Sequence, residues 1–394
     1  MNILFLMKVF EVGGQEVVTL TLAESFVEHG HHVGIACFNK PSPLMTERAD
    51  KRIRFYTLDG FRCSDVNVEK LRSILTDDKV DIVINQWGLP YVPAKVLDKA
   101  KAGLDLKTIA IYHNSPDTNA RIKGVEIALE TTHNPLKRLL LHCKKQVFKL
   151  VTSRSMRYVY KHSNLYMVLS PSFVEKFKAF TGIRKPGHLA VQTNPVTVDA
   201  SGFSYSKENK RKEIIYMGRI DYNQKRVVRI VETWAMLEAR FPDWRLTIVG
   251  DGPERANVER RARELGLKHV SFDGFQQPRP YYERASVLVL ASEYEGFPLV
   301  LAECMSFGVV PVVYGSYSAV YDIVKNGKNG MIVQPRGGRF DVSEMSQALA
   351  TVMADDNKRD GMAQRAIETS KRDYSVENIY SSWKEVMYNL IKQK

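Results

Sequence analysis

Short apolar runs alternate with stretches of helical periodicity along the whole chain. In the first half the runs that read as strands are 3–7, 32–38, 53–57, 82–85, 108–112 and 165–169, with helical patterns over 14–29, 91–102 and 171–180 between them. A second series places strands at 213–217, 245–249, 270–272, 287–290, 309–313 and 331–333. Its helices fall at 224–241, 253–265, 298–307 and in two or more segments after residue 342. Strands that are apolar throughout, rich in Val, Ile and Leu and separated by helices, predict parallel sheets covered on both faces. The polar stretch 201–212, SGFSYSKENKRK, reads as a linker. The expected architecture is therefore α/β, with two doubly wound domains at 1–200 and 201–375. A last helix within 376–394 is expected to return to the first domain. Such sheets bind ligands outside the carboxyl ends of their strands, so two of them facing a cleft make that cleft the expected site.

A length of 394 residues suits two such cores, and 44% hydrophobic with 26% charged residues is ordinary for a globular chain. Cys37, Cys63, Cys143 and Cys304 are scattered without a CxxC pair, which argues against a zinc site or a disulfide framework and fits a reducing cytoplasm. No stretch reaches the roughly 18 apolar residues of a membrane span. The opening MNILFLMKVFEVGG reads as a first strand rather than a signal peptide.

Four stretches carry candidate chemistry. In 291–313, ASEYEGFPLVLAECMSFGVVPVV, a buried strand runs into Glu295, Gly296, Phe297 and Pro298. Pro298 stands where a helix begins, and Leu299 follows. The amides of that first turn can hold phosphate or sugar oxygens. Glu303 comes eight positions after Glu295, and two such carboxylates can accept hydrogen bonds from sugar hydroxyls. Glu293 adds a further negative charge that this reading does not use. In 214–226, IIYMGRIDYNQKR, Arg219 and Lys225 follow a strand, a planar fork and a point charge suited to a diphosphate. Gly13 and Gly14 follow the first strand without the GxGxxG pattern, and either a phosphate contact or a plain tight turn accounts for them. In 109–116, IAIYHNSP, His113 ends a buried strand, where a structural role and a sugar contact both stand.

The Gly-Gly loop, the Arg219…Lys225 loop and the Glu295-x7-Glu303 motif together resemble the retaining glycosyltransferases of family four, also called group 1. That family has the GT-B fold of two Rossmann-like domains. The resemblance spans nearly the whole chain and is strongest over 213–333. It implies that Arg219 and Lys225 grip the donor diphosphate and stabilise the charge that grows on it. Glu303 would hold the ribose hydroxyls, and Glu295 with the backbone of Gly296, Phe297, Pro298 and Leu299 the transferred sugar or the phosphates. His113 would touch the donor sugar, Gly14 would admit the diphosphate to the first helix, and Gly274 and Phe275 would lie nearest the base. It further implies a nucleotide-sugar donor, a UDP-hexose first, and a glycan or lipid-linked glycan acceptor in cell-surface polysaccharide synthesis. No metal and no other cofactor is expected, and the chain has no Asp-x-Asp pair. A GT-B epimerase or phosphorylase and a non-catalytic glycan-binding protein are the competing readings.

The net charge is +13, and much of it is local. Residues 1–200 carry 28 Lys/Arg against 19 Asp/Glu, and 131–174 hold no acidic residue. Within 134–161, Leu136, Leu140, Cys143, Val147 and Leu150 recur at helical spacing, with Lys137, Arg138, Lys144, Lys145 and Lys149 off that seam. Such a helix could lie on an anionic membrane, peripheral at the inner face of the cytoplasmic membrane, or show a solvated basic face over a core. No nucleic-acid motif accompanies the charge, so nucleic acid is not an expected partner.

Overall fold

Two parallel sheets organise the chain in its computed structural model, which describes residues 1–392. Gln393 and Lys394, the end of the expected 376–394 segment, lie outside the described residues. One unit comprises Met1–Pro195 and the segment from Val376, the other Val196–Ser375.

The first unit has strands β1 (Asn2–Met7), β2 (His32–Cys37), β3 (Arg54–Thr57), β4 (Ile82–Asn85), β5 (Lys107–Tyr112), β6 (Leu165–Val168) and β7 (Leu189–Val191). They lie in the order β3-β2-β1-β4-β5-β6-β7, every neighbouring pair parallel. Its helices are α1 (Gly14–Glu28), α2 (Pro43–Arg48), α3 (Asp65–Asp77), α4 (Tyr91–Ala100), α5 (Ala120–Thr131), α6 (Pro135–Lys161) and α7 (Phe173–Thr181). The strand order reverses between β1 and β4, so the loops that leave their carboxyl ends diverge and open a crevice. The apolar runs are buried because helices cover both faces. Leu4 and Leu6 of β1, Val83 of β4, Leu71 of α3 and Leu97 of α4 share one cluster. Each such side chain removed from water contributes roughly 1.5–3 kcal/mol.

The second unit has β8 (Arg211–Met217), β9 (Arg245–Val249), β10 (Val270–Gly274), β11 (Ala285–Leu290), β12 (Val310–Tyr314) and β13 (Met331–Val333) in the order β10-β9-β8-β11-β12-β13. Its switch point lies between β8 and β11. Its helices are α8 (Val228–Ala235), α9 (Arg255–Glu264), α10 (Arg279–Arg284), α11 (Leu299–Ser306), α12 (Ala319–Ile323), α13 (Val342–Ala354) and α14 (Asp356–Tyr374). The last helix, α15 (Val376–Lys392), packs on the first unit. Phe26 of α1 meets Phe5, and the rings of Tyr380 and Trp383 from α15 stand edge-on to it.

Several expectations are corrected. The stretch 201–212 is not a linker. Phe203 stacks against Phe307, Tyr205 donates to Asp360, and β8 begins at Arg211, so two aromatic side chains bind the polar segment into the second unit. The chain leaves the first unit earlier, after Pro195. The helix expected over 224–241 spans only Val228–Ala235. Asp221 closes a turn before it, accepting from the Gln224 amide at 2.7 Å, and Arg226 takes a left-handed φ of 51° that no helix continues through. Pro298 caps α11 instead of opening it, and Leu299 is the first helical residue. The helices α2, α3, α5, α10 and α12 and the edge strand β7 stand in addition to the expected elements. In α6, Asn134 caps the amide of Lys137 and Pro135 takes the first turn. The seam of α6 is not a core seam over most of its length. Leu136, Leu139, Leu140, Val147, Leu150 and Val151 are each more than half exposed, and burial begins only at Met156, Val159 and Tyr160.

Candidate active site

In the second unit the loops after β8 and β11, on either side of the switch point, interlock. Asp221 is the hinge of the first. Its carboxylate accepts from Arg219 Nε at 3.0 Å and from the Gln224 amide, and its carbonyl accepts from the Arg226 amide at 3.0 Å. Asp favours such turns because its side chain bonds to backbone amides just ahead. The turn delivers Lys225 to Glu295 of the other loop, Nζ to Oε1 at 2.6 Å. Gln224 Nε2 donates to Oε2 of the same carboxylate at 2.9 Å and to the carbonyl of Tyr294 at 3.1 Å. The Lys225 and Glu295 side chains are 16% and 7% exposed, so the pair is shielded from water. Arg219 differs. Its side chain is 66% exposed and anchored through Nε. The exposed guanidinium is the more open of the two cations to an arriving anion.

Close backbone approach makes the arrangement possible. Gly250, at the end of β9, has a φ of 139°, and a Cβ there would collide with the carbonyl of Gly218 in the loop after β8. Glu293, which the sequence left without a role, acts on the same loops. It accepts from Arg229 of α8 at 2.5 Å and lies 3.8 Å from Arg226, and its amide donates to the Gln224 carbonyl at 2.7 Å. It therefore ties the two loops together behind the Lys225–Glu295 pair.

Gly296 and Phe297 carry the chain into α11, whose amino end has no side-chain cap. Glu303 lies one turn inside this helix and is buried. Thr197 Oγ1 donates to Oε1 at 2.5 Å and Tyr282 Oη to Oε2 at 3.2 Å. Burial raises its pKa, opposed by those two hydrogen bonds. At the carboxyl end of β10, the Gly274 carbonyl accepts from the Gly250 amide at 2.7 Å, and Phe275 beyond it is 69% exposed. An aromatic ring so exposed beside a strand end can stack a planar ligand.

The first unit holds Gly14 and His113. Gly14 opens α1 after an extended Gly13, and Glu16 in that first turn is buried, with its pKa raised by loss of solvent. His113 follows β5, and its Nε2 lies 2.5 Å from Gln86 Oε1. Loss of solvent around the ring pulls its pKa down to about 4, which makes it a neutral imidazole near pH 7. Gln86 also accepts on its carbonyl from Gln15 Nε2 at 2.6 Å.

The structure thus brings Arg219, Lys225 and Glu295 together. It gives Glu303 separate partners, and it sets Gly274 and Phe275 two strands away from β8. Asp221, Gln224 and Gln86 escaped the sequence reading. Only the Asp two places after Arg219 offered a signal, as a turn former. Among the described residues no three His, Cys, Asp or Glu side chains gather as a metal site.

Comparison with known proteins gives the family and the fold. A family model described as Glycosyl transferases group 1 matches residues 198–369, and one described as Glycosyltransferase Family 4 matches 12–200. The chain is 25% identical over 389 residues to a Campylobacter jejuni α-1,4-N-acetyl-D-galactosaminyltransferase, covering 97% of each chain. The name of that protein gives its acceptor as an undecaprenol-linked diphosphate glycan. Among solved structures, the apo lipopolysaccharide outer core galactosyltransferase WaaB superposes with a TM-score of 0.70 at 20% identity, over 99% of both chains. Anabaena HepE, solved with UDP, superposes with a TM-score of 0.74 at 16% identity, over 99% of this chain and 100% of its own. Both share the two-domain GT-B fold.

Proposed function

The chain belongs to the group 1 glycosyltransferases, and from that premise we propose that it moves a hexose from UDP to a glycan or lipid-linked glycan, with retention and without a metal, in cell-surface polysaccharide synthesis. The observation that carries this reading is the water-shielded contact between Lys225 and Glu295, with the Arg219 guanidinium exposed on the same turn. Cations at that edge suit the charge that grows on a departing diphosphate, which is the task a metal performs elsewhere. The bond from the sugar C1 to the phosphate oxygen breaks, and the acceptor oxygen bonds to C1 on the same face. The acceptor proton passes to the departing phosphate oxygen, so no protein base is needed. Glu295 and the turn from Gly296 to Leu299 hold the sugar, Glu303 the ribose, and Phe275 the base. The UDP in the HepE complex supports the choice of nucleotide.

The acceptor half of the reading rests on α6. The Campylobacter relative's name gives an undecaprenol-linked acceptor, which supports a lipid-linked acceptor here. No helix among the described residues is long and apolar enough to cross a membrane. The exposed leucines and valines of α6, beside Lys137 and Lys144, form a face that suits an anionic lipid surface. That face supports a peripheral enzyme at the inner face of the cytoplasmic membrane.

Incubation with UDP-, GDP- and ADP-hexoses and a lipid-linked glycan tests the proposal. UDP release dependent on acceptor, an axial product from an axial donor and insensitivity to EDTA are expected. Turnover without an acceptor, or a requirement for inorganic phosphate, would indicate an epimerase or a phosphorylase. Binding to phosphatidylglycerol vesicles should weaken with salt. Equal binding to phosphatidylcholine vesicles would overturn the membrane assignment.

A further inference from the structure

No motif marks the loop after β4, yet it joins two that were singled out. β4 borders the switch point of the first sheet, paired with β1 on one side and β5 on the other. At its carboxyl end Gln86 is buried. Its carbonyl receives Gln15 Nε2 from the first turn of α1, and its side-chain Oε1 lies 2.5 Å from Nε2 of His113. The glycine loop and the strand-end histidine are therefore held by one residue.

The direction of the second bond follows from chemistry. An amide oxygen only accepts, so His113 Nε2 carries the hydrogen. In a neutral imidazole the other nitrogen, Nδ1, is then an acceptor and nothing else. A sugar hydroxyl can donate to it, whereas an ionised phosphate or carboxylate oxygen cannot. We propose that Gln86 is the positioning residue of the sugar site in this unit, fixing His113 as the Nε2–H tautomer so that Nδ1 receives a sugar hydroxyl. The proposal rests on the reading of His113 as a sugar contact. Gln86 Nε2 is itself buried without a partner among the described residues, and a ligand oxygen would relieve it.

Burial alone lowers the pKa of the ring, to about 4. The charged groups on neighbouring segments are Lys8 after β1, Glu16 of α1, Asp117 in the loop that follows His113 and Lys176 of α7. Lys176 is occupied with Ser115 and Asp117.

Two measurements test the assignment. The first is the long-range 1H–15N correlation pattern of His113 in the full chain labelled with 15N-histidine, identified by its loss in H113A. The Nε2–H pattern is expected, and an Nδ1–H pattern would overturn the role of Gln86. The second is the pH profile of kcat and of the donor KM for wild type, Q86L and Q86E with a UDP-hexose. Q86L loses the acceptor for Nε2–H and should fall roughly 10- to 100-fold in kcat at every pH, as misplaced groups do. Q86E keeps an acceptor but adds a negative charge beside the ring, which should raise the His113 pKa. Its activity should drop on the acid side and recover toward wild type at alkaline pH, a limb that loosened packing would not produce. If Q86E tracks Q86L at all pH values, or if Q86L matches wild type, the proposal fails. Full activity in H113A would overturn the reading of His113 as a sugar contact, whichever tautomer the spectra show.

Discussion

Replacing Lys225 with Met tests the site most directly, because the structure assigns the ammonium two separable effects. The first is on stability. The Lys225–Glu295 contact is 2.6 Å long and nearly closed to water. Removing one member of such a pair strands a buried charge and costs about 3–5 kcal/mol. Glu295 keeps its 2.9 Å bond from Gln224, which places the expected loss near the lower figure, about 3 kcal/mol. The second effect is on rate. Loss of one preorganised group facing the departing diphosphate costs about 10²–10³ in kcat. The double variant K225M/E295Q separates the two. It leaves no uncompensated charge, so most of the lost stability should return. Because Glu295 also faces the sugar, the E295Q single variant is the reference for rate, and the double variant, which lacks the ammonium as well, should fall a further factor of about 10²–10³ below it. Stability is read by urea unfolding of the second unit through Trp234 and Trp244, with Trp87 and Trp383 of the first unit replaced by Phe. Activity is read as acceptor-dependent UDP release. A double variant as active as the E295Q single variant would refute the charge argument and leave Lys225 a structural residue. A single variant as stable as wild type would refute the buried pair.

Glu303→Gln should stabilise the second unit near pH 7. Burial raises the Glu303 pKa above its ordinary 4.5, so stability is lost as pH rises from that value through the folded pKa. The advantage of the amide should shrink as pH falls toward 4.5, while the donor KM rises at every pH, and unfolding curves at several pH values check it. Phe275→Ala should raise the donor KM about tenfold with kcat unchanged, since stacking a base contributes about 1–3 kcal/mol in ground and transition states alike. His31, whose Nε2 meets Tyr380 Oη of α15 at 3.1 Å, has its pKa lowered by burial to about 4. An unfolded chain binds that proton near 6.5, so stability of the first unit should fall as pH drops from 6.5 toward 4, and His31→Phe should flatten that slope.

Local order was legible in the sequence because it depends on neighbours along the chain. Continuous apolar runs gave the parallel strands, and helical spacing gave α1, α4 and α6. The spacing of Arg219, Lys225, Glu295 and Glu303 was enough to name a family. Helix starts were read less well, because Asp221 and Arg226 form a turn where the periodicity of 224–241 is already helical.

Partnership across the sheets was decided only by the fold. Gln86 meets His113 from 27 residues away, Lys225 meets Glu295 from 70, and Thr197 meets Glu303 from 106. No periodicity within a segment encodes such pairs. Parallel strands joined by crossovers bring distant loops to one carboxyl edge, and the reversal of strand order selects which loops face one another. For the same reason an apolar seam in α6 could be recognised from the sequence, whereas its exposure could not. Burial depends on which other elements arrive to cover a face, and over the first half of that helix no described element buries Leu136, Leu139 or Leu140.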